Sequence, residues 1–325
     1  MLSRTPTRIG LALGGGAARG LAHVGVIQVL EENGLEVHSI AGTSMGAIVG
    51  AVYLMEGDSR RMVARMNGLF QSEAFRAAKF DLLREQREED EENWVESMTG
   101  LLRRGWAYAR TVRLQSIIDR DVFQGIINEV VPDLAIEELP KPFAATSLNV
   151  VDGNEVIWTS GSLRNALWAS SAIPGFFPPL ELDGMVLVDG AWTNSVPVGP
   201  CLTLGAERVL AVDISREIEE IFEYKRGVNL ILRSALLTSK HLREHQLQEA
   251  DLVLRPDVGH IHWADFSAPE ALIQKGRDAA LVHLDQVRGL TSPTSPWARS
   301  WALNRVRASL QSQFPRRRGR RGGPA

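Results

Sequence analysis

The chain has 325 residues, 44% hydrophobic and 23% charged, a balance that is ordinary for a globular protein and excludes a low-complexity or collagen-like body. A single cysteine excludes an internal disulfide framework, and we interpret Cys201 as a small buried apolar residue. No apolar run reaches the roughly 18 residues of a membrane-spanning helix, and residues 1–8 lack the apolar stretch of a secretion signal, so we expect a cytoplasmic protein.

The net charge of −3 hides an uneven distribution. Residues 297–325 hold eight arginines and no acidic residue, so the other 28 basic residues face 39 acidic ones and leave the body at about −11. Apolar residues recur between the arginines at roughly helical spacing: Trp297, Trp301, Val306, Leu310 and Phe314. The basic tail, residues 290–325, therefore has two open interpretations. It is a helix on an anionic membrane surface at the inner face, or a helix packed on the body before a disordered end.

The predicted elements begin with a strand at residues 8–13, a glycine-rich loop at 14–20 and a helix that ends at Asn33 and Gly34. A second strand, turn and helix span residues 37–51, and a further helix spans 58–70. Residues 71–120 form a long, mostly helical, charged stretch, interpreted as an insert or lid. The remaining predictions are strands at 143–151, 155–160, 208–214 and 251–254, a hairpin that turns at Asp183 and Gly184 with its second strand at 185–188, and helices at 162–171, 228–250 and 269–289.

Residues 42–46 place a serine at the corner between the second strand and its helix. Gly42 and Gly46 lack side-chain bulk and let the two elements approach each other, so the turn pushes the Ser44 hydroxyl out of the fold. The helix N-terminus aims free N–H groups at the same point, which suits a developing negative charge. The pattern indicates a nucleophile elbow, although Gly-x-Ser-x-Gly also occurs by chance.

The glycine-rich loop between the first strand and helix can cradle an anion with its backbone N–H groups. A dinucleotide site requires Gly-x-Gly-x-x-Gly, but counting from Gly14 puts Arg19 at the third glycine, and counting from Gly15 puts Ala17 at the second. Neither register fits. The mismatch favours an oxyanion hole over a nucleotide site.

Three motifs stand in order: the glycine loop at 15–20, the serine turn at 42–46, and Asp189, Gly190 and Ala191 after an apolar strand. Together they resemble the bacterial branch of the patatin-like phospholipase family. The segments 21–26 and 169–179 resemble it too, and the resemblance covers roughly residues 9–254. It implies an α/β fold of three layers, α/β/α, with a mostly parallel central sheet, which we place in a domain spanning residues 1–289.

The resemblance also implies a Ser-Asp dyad, with Ser44 as the nucleophile and Asp189 as its base, and it requires no metal or cofactor. The implied oxyanion hole is formed by Gly15, Gly16 and Ala17, with Gly14 adjoining. Ala17 stands where family members usually have glycine, and it can serve as a donor if its φ is negative. The remaining motif residues have supporting roles: Arg19, Gly20, Gly42, Gly46, Gly190 and Ala191.

Arg19 pins the loop by hydrogen bonds to carbonyls or binds a phosphate, and we favour the first role.

A carboxylate base without histidine needs a raised pKa, which burial provides. The histidines are alternatives: His23 is interpreted as structural, and His241 with His245 lie four apart on a helix, as a metal pair does, but without an evident third ligand.

These observations favour a serine acyl hydrolase that acts on phospholipids or other lipid acyl esters. The alternative is a non-catalytic lipid-binding or regulatory protein that retains the fold. We expect no nucleic-acid partner, because the arginine cluster has no accompanying nucleic-acid-binding fold signal.

Overall fold

The computed structural model describes residues 7–80, 116–215 and 227–291. In this part of the chain eight strands form one sheet. They are β1 (Ile9–Leu13), β2 (Ser39–Gly42), β3 (Phe143–Asn149), β4 (Glu155–Trp158), β5 (Leu180–Leu182), β6 (Met185–Asp189), β7 (Arg208–Val212) and β8 (Leu252–Leu254).

The sheet is mixed, with a parallel centre and an antiparallel edge. Its order is β5-β6-β3-β2-β1-β7-β8, and β4 pairs with β3. Strands β3, β2, β1, β7 and β8 run parallel, whereas β4 and β6 pair antiparallel with β3, and β5 with β6. The expected α/β fold with a mostly parallel sheet is confirmed.

The described helices follow the strands in α/β order. They are α1 (Ala22–Glu32), α2 (Met45–Glu56), α3 (Ser59–Gln71), α4 (Glu73–Ala77), α5 (Arg120–Val130), α6 (Leu163–Ser171), α7 (Val198–Thr203), α8 (Gly227–Leu247), α9 (Pro269–Val282) and α10 (Leu284–Leu290). A 3-10 turn at Ala17–Leu21 leads from the glycine loop into α1.

Helices cover both faces of the sheet. This is seen in the strand residues, which alternate between two buried clusters. Leu11 and Leu13 of β1 belong to the larger cluster with α1 and α2, whereas Ala12 belongs to the smaller one with α7. The smaller cluster is lined by short side chains, and Cys201 of α7 lies in it, fully buried as predicted. Burial raises the pKa of this thiol to about 12, so it is held in the unreactive neutral form.

The strand register brings the ends of three strands to one place. Leu13 of β1 pairs with Gly42 of β2, and Gly42 pairs with Ala145 of β3. Two residues further along β3, Ser147 pairs with Asp189 of β6. Strand β6 runs antiparallel to β3, so its last residue, Asp189, lies beside Ser147. This is two residues beyond Ala145, the partner of Gly42, and so level with the residues that follow Gly42. The glycine loop, the serine turn and the aspartate therefore meet at one edge of the sheet.

The structure departs from the predicted elements in three helical regions. The last helix is not continuous over 269–289: the backbone leaves helical geometry at His283, with φ −104 and ψ 12, and α10 follows. Helices α5 and α7 were not predicted, and α7 was missed because its Gly-Pro pair is typical of a loop. Most of the 71–120 insert, residues 81–115, and the tail from residue 292 lie outside the described residues.

Candidate active site

The serine turn is as tight as its glycines predict. A Cβ on Gly46 would collide with the carbonyl oxygen of Leu13, and one on Gly42 would collide with the backbone of Ala47. Ser44 itself has φ 54 and ψ −124, a conformation that is strained for any residue with a side chain. Unlike our expectation of an outward hydroxyl, Ser44 is buried, with 5% of its surface exposed.

Ser44 is buried because the two other motifs cover it. A Cβ on Gly15 would lie 3.3 Å from Cβ of Ser44 and 3.5 Å from Cβ of Ala191. Gly20, at the far end of the same loop, lies against the side chain of Met45, which leaves no room for a Cβ there. The three motifs found in the sequence thus form one compact site.

The Ser44 hydroxyl lies beside the Asp189 carboxyl and is one of the groups that lower its pKa. Asp189 is 3% exposed, and its Oδ1 accepts the backbone N–H of Ala191 at 2.8 Å. Burial raises the pKa of this carboxyl to about 6, and the Ala191 N–H and the Ser44 hydroxyl offset part of that rise. Near neutral pH the carboxyl is therefore mostly ionised, and it is a better proton acceptor than an exposed aspartate.

The loop that follows Asp189 is tied to the serine turn through a threonine. Gly190 packs so closely on Thr146 of β3 that a Cβ would meet its carbonyl oxygen and Oγ1. Thr43 Oγ1 lies 2.7 Å from both the Asn194 carbonyl oxygen and Thr146 Oγ1. Because the carbonyl can only accept, Thr43 donates to it and Thr146 donates to Thr43. The nucleophile turn and the base loop therefore share one buried network.

Two side chains of α8 also hold the base loop. Ser239 Oγ donates to the Ala191 carbonyl at 3.2 Å, and Gln246 Nε2 donates to the Thr193 carbonyl at 2.9 Å. Sequence reasoning missed both residues, because nothing in the α8 sequence marks which of its polar residues face inward.

The glycine loop divides into engaged and unengaged N–H groups. Gly14 donates to the Val212 carbonyl at 3.1 Å, and Gly15 donates to the Ser195 carbonyl at 2.9 Å. These two N–H groups are committed to the fold, so the expectation that Gly15 donates to an oxyanion, with Gly14 adjoining, needs correction. Gly14 and Gly15 have a structural role here.

Gly16 and Ala17 carry the N–H groups that donate no hydrogen bond within the described residues. Their neighbours are fixed: Ala18 donates to the Trp263 carbonyl at 2.8 Å, and the Gly16 carbonyl accepts from Arg19 through its backbone N–H at 3.2 Å and its Nε at 3.5 Å. Arg19 thus pins the loop as expected. The φ of Ala17 is +48 and not negative as expected, but its N–H is unengaged in the described structure and is still available as a donor.

His23 fixes the start of the same loop. It is fully buried, and its Nε2 lies 2.7 Å from the Gly14 carbonyl oxygen, to which it donates. Burial lowers the pKa of this imidazole to about 4, so the ring is neutral at physiological pH. His23 is therefore structural, as interpreted from the sequence. Within the described residues no group of three histidine, cysteine or acidic side chains is arranged to hold a metal ion.

The sequence matches the model of one protein family over residues 11–202, which hold all three motifs. This family is described as patatin-like phospholipase, and the match covers more than half of the chain. The chain belongs to the patatin-like phospholipase family.

Similar proteins occur in bacteria, animals and fungi. An uncharacterised NTE family protein of Mycobacterium tuberculosis is 33% identical over 213 residues, which are 64% of this chain and 49% of that protein. The human patatin-like phospholipase domain-containing protein 6 is 30% identical over 217 residues, 66% of this chain and 14% of that one. Lysophospholipase NTE1 of Mycosarcoma maydis is 31% identical over 208 residues, 63% of this chain and 10% of its own length. The chain thus spans half or less of these relatives.

A solved structure with a similar fold is VipD from Legionella pneumophila, with a TM-score of 0.48 and 14% identity, covering 87% of this chain and 67% of that one. In the described part of the chain, the helices are too short or too polar to cross a membrane.

Proposed function

We propose that the chain is a serine acyl hydrolase that cleaves lipid acyl esters, with Ser44 as the nucleophile and Asp189 as the general base. The observation that carries the proposal is that the Ser44 hydroxyl lies beside the buried Asp189 carboxylate, whose pKa is raised to about 6. Membership of a family named for phospholipases supports the reaction class. A relative named a lysophospholipase supports a phospholipid or lysophospholipid as substrate.

In the first half of the reaction Ser44 Oγ attacks the acyl carbonyl carbon, and its proton passes to Asp189. The carbonyl oxygen becomes an oxyanion and accepts hydrogen bonds from the N–H groups of Gly16 and Ala17. Each such donor contributes about 3 kcal/mol of transition-state stabilisation. When the tetrahedral intermediate collapses, the alcohol leaves with the proton from Asp189, and an acyl-enzyme on Ser44 remains.

In the second half water replaces the alcohol. Asp189 takes a proton from the water, whose oxygen attacks the acyl carbon, and the same two N–H groups stabilise the second oxyanion. Collapse of this intermediate returns the proton to Ser44 Oγ and releases the fatty acid. The cycle uses one carboxylate alternately as base and acid, and it requires no cofactor.

The experiment that tests this proposal is labelling with a fluorophosphonate serine probe, alongside hydrolysis of a short-chain p-nitrophenyl ester. We expect Ser44→Ala to abolish both, and Asp189→Asn to reduce both by at least about 10³-fold, because amide nitrogen cannot accept the proton. The matched control is Asp183→Asn in the β5–β6 turn, where φ is 50 and asparagine is tolerated. Folded wild type that resists labelling would instead support a lipid-binding protein that retains the fold.

Contact with an anionic membrane through the tail stays a prediction, because residues 292–325 lie outside the described residues. We expect deletion of residues 297–325, with their eight arginines, to weaken binding to anionic vesicles. Unchanged vesicle binding by the shortened chain would rule out this role for the tail.

A further inference from the structure

The segment 169–179 resembles the family, yet the proposed reaction gives it no role. In the structure it comprises the last turn of α6 and the apolar loop that follows. The helix ends at Ser171, and Ala172 leaves helical geometry with φ −77 and ψ 73. The end of α6 lies directly beside the proposed dyad.

Ser170 contacts the nucleophile. Its Oγ accepts the backbone N–H of Ser44 at 2.9 Å, although the two residues are 126 positions apart in the chain. Ser170 is fully buried, and Ser44 is nearly so, which means that water cannot replace this hydrogen bond.

Ala172 contacts the base. Its carbonyl oxygen accepts the backbone N–H of Asp189 at 2.9 Å. Two positions of one short segment therefore hold the main chain of both dyad residues, Ser170 through a side chain and Ala172 through the backbone. The distance between these two attachment points is fixed by the end of the helix.

The strain at Ser44 makes such an attachment necessary. A non-glycine residue with φ 54 and ψ −124 persists only where the surroundings over-determine its conformation. The neighbouring contacts fix the peptides on either side: Thr43 donates to the Leu13 carbonyl at 3.0 Å, and the Ser44 carbonyl accepts from Ile48 at 3.1 Å. The N–H of Ser44 has Ser170 Oγ as its partner.

We propose that Ser170 is a positioning residue, and that the end of α6 is a clamp that sets the separation of Ser44 and Asp189. The inference rests on the proposed function, since it explains how that dyad is held together. Ser170 does not touch the reacting atoms. It acts through the main chain of Ser44, so its loss should impair the chemical step and leave the binding of substrate unchanged.

The test compares Ser170→Ala with Ser171→Ala. Both serines are buried and adjacent on α6, but Ser171 Oγ has no hydrogen-bond partner in the described structure. The measurements are the rate constant for fluorophosphonate labelling, and kcat and KM for a short-chain p-nitrophenyl ester, at a temperature well below the Tm of each variant. Wild type is measured first, because its failure to react would refute the proposed function and not the clamp.

With reactive wild type, we expect Ser170→Ala to lower the labelling rate and kcat by about 10- to 100-fold with KM nearly unchanged, because a misplaced nucleophile costs rate and not binding. Ser171→Ala should keep the wild-type rates. If folded Ser170→Ala reacts as fast as Ser171→Ala, the clamp is refuted, even if its Tm is lower.

Ser170→Cys serves if the alanine variant does not fold. Cysteine keeps the shape of the side chain, but sulfur is a weak acceptor. A reduced labelling rate in folded Ser170→Cys supports the clamp, and a wild-type rate overturns it.

Discussion

The serine turn and the glycine loop are built from similar parts and end up with opposite properties. Each follows a central parallel strand, β1 or β2, and leads into a helix, and each holds one non-glycine residue at positive φ, Ala17 or Ser44. In the serine turn the N–H groups of Thr43, Ser44 and Gly46 donate to protein atoms, whereas that of Met45 donates to none of the described residues. In the glycine loop, Gly16 and Ala17 donate to none of the described residues.

This difference separates two tasks of the site. The serine turn uses its hydrogen bonds to hold one side chain in a strained position, whereas the glycine loop fixes its flanks and leaves two donors for a ligand. Rigid flanks matter because a preorganised donor needs no reorganisation when charge develops. Each of the following changes disturbs either the serine turn or the glycine loop, so the two sets of changes should have different effects.

Gly46→Ala should have the largest effect. The new Cβ would fall on the Leu13 carbonyl oxygen, and because this is backbone, β1 and α2 would have to separate. We expect a loss of about 3 kcal/mol or more in the free energy of unfolding, measured by urea denaturation. The control is Gly68→Ala in α3, where nothing lies within 4 Å and alanine should stabilise the helix by about 0.5–1 kcal/mol. Equal effects of the two variants would contradict the close approach.

Lowering the pH should stop the activation of Ser44 by Asp189 and leave the N–H donors of the glycine loop unchanged. The pKa of Asp189 is raised to about 6, and the protonated carboxyl cannot accept the Ser44 proton. We therefore expect the labelling rate to level off above pH 7 and to fall about tenfold per unit below pH 6. Residual labelling of Asp189→Asn should lack this step. A wild-type profile with its midpoint near pH 4 would mean that Asp189 is not desolvated.

His23→Phe should loosen the glycine loop. The variant keeps an aromatic ring but removes the donor to the buried Gly14 carbonyl, which costs about 1–3 kcal/mol at pH 7. Because the pKa of His23 is lowered from 6.5 to about 4, the unfolded chain binds more protons between these values, and wild-type stability should fall as the pH falls through this window.

The variant should lack that part of the acid dependence, which amounts to about 3 kcal/mol. The control is His241→Phe, at an exposed position of α8. If wild type and His23→Phe lose stability in parallel from pH 6.5 to 4, His23 does not carry the effect.

Ala17→Gly should have the smallest effect and the opposite sign. The left-handed conformation costs alanine about 1–2 kcal/mol, and glycine removes this cost but adds freedom to the unfolded chain. We expect a gain of up to about 1 kcal/mol in thermal unfolding experiments, with catalysis retained because the donor is a backbone N–H. Ala268→Gly, at an exposed residue with φ −129, should instead destabilise slightly.

The local turns could be predicted from the sequence because their chemistry is local. Asp183 and Gly184 adopt φ 50 and 78, as a two-residue hairpin demands, and the strand, turn and helix around Ser44 lie where the glycines predicted them. The family motifs then identified which turns belong to one site.

What the sequence did not predict depends on contacts between distant segments. The partners of the Gly14 and Gly15 N–H groups lie about 180 to 200 residues away, on β7 and after β6, so no local pattern shows that these donors are engaged. The hydrogen bond from Ser44 to Ser170 is hidden in the same way. The break at His283 was missed because the apolar periodicity continues across it.

The packing of α9 determines how much of the chain must be present for the motifs to assemble. Gly25 of α1 and Gly276 of α9 let the two helices cross so closely that a Cβ on either would strike the backbone of the other. Strand β7 lies between β1 and β8. A fragment that stops at residue 202, where the family match ends, would lose both supports of β1 and α1. All three motifs would remain in such a fragment, yet it would lack β7, β8 and the helix α9, which ends at Val282.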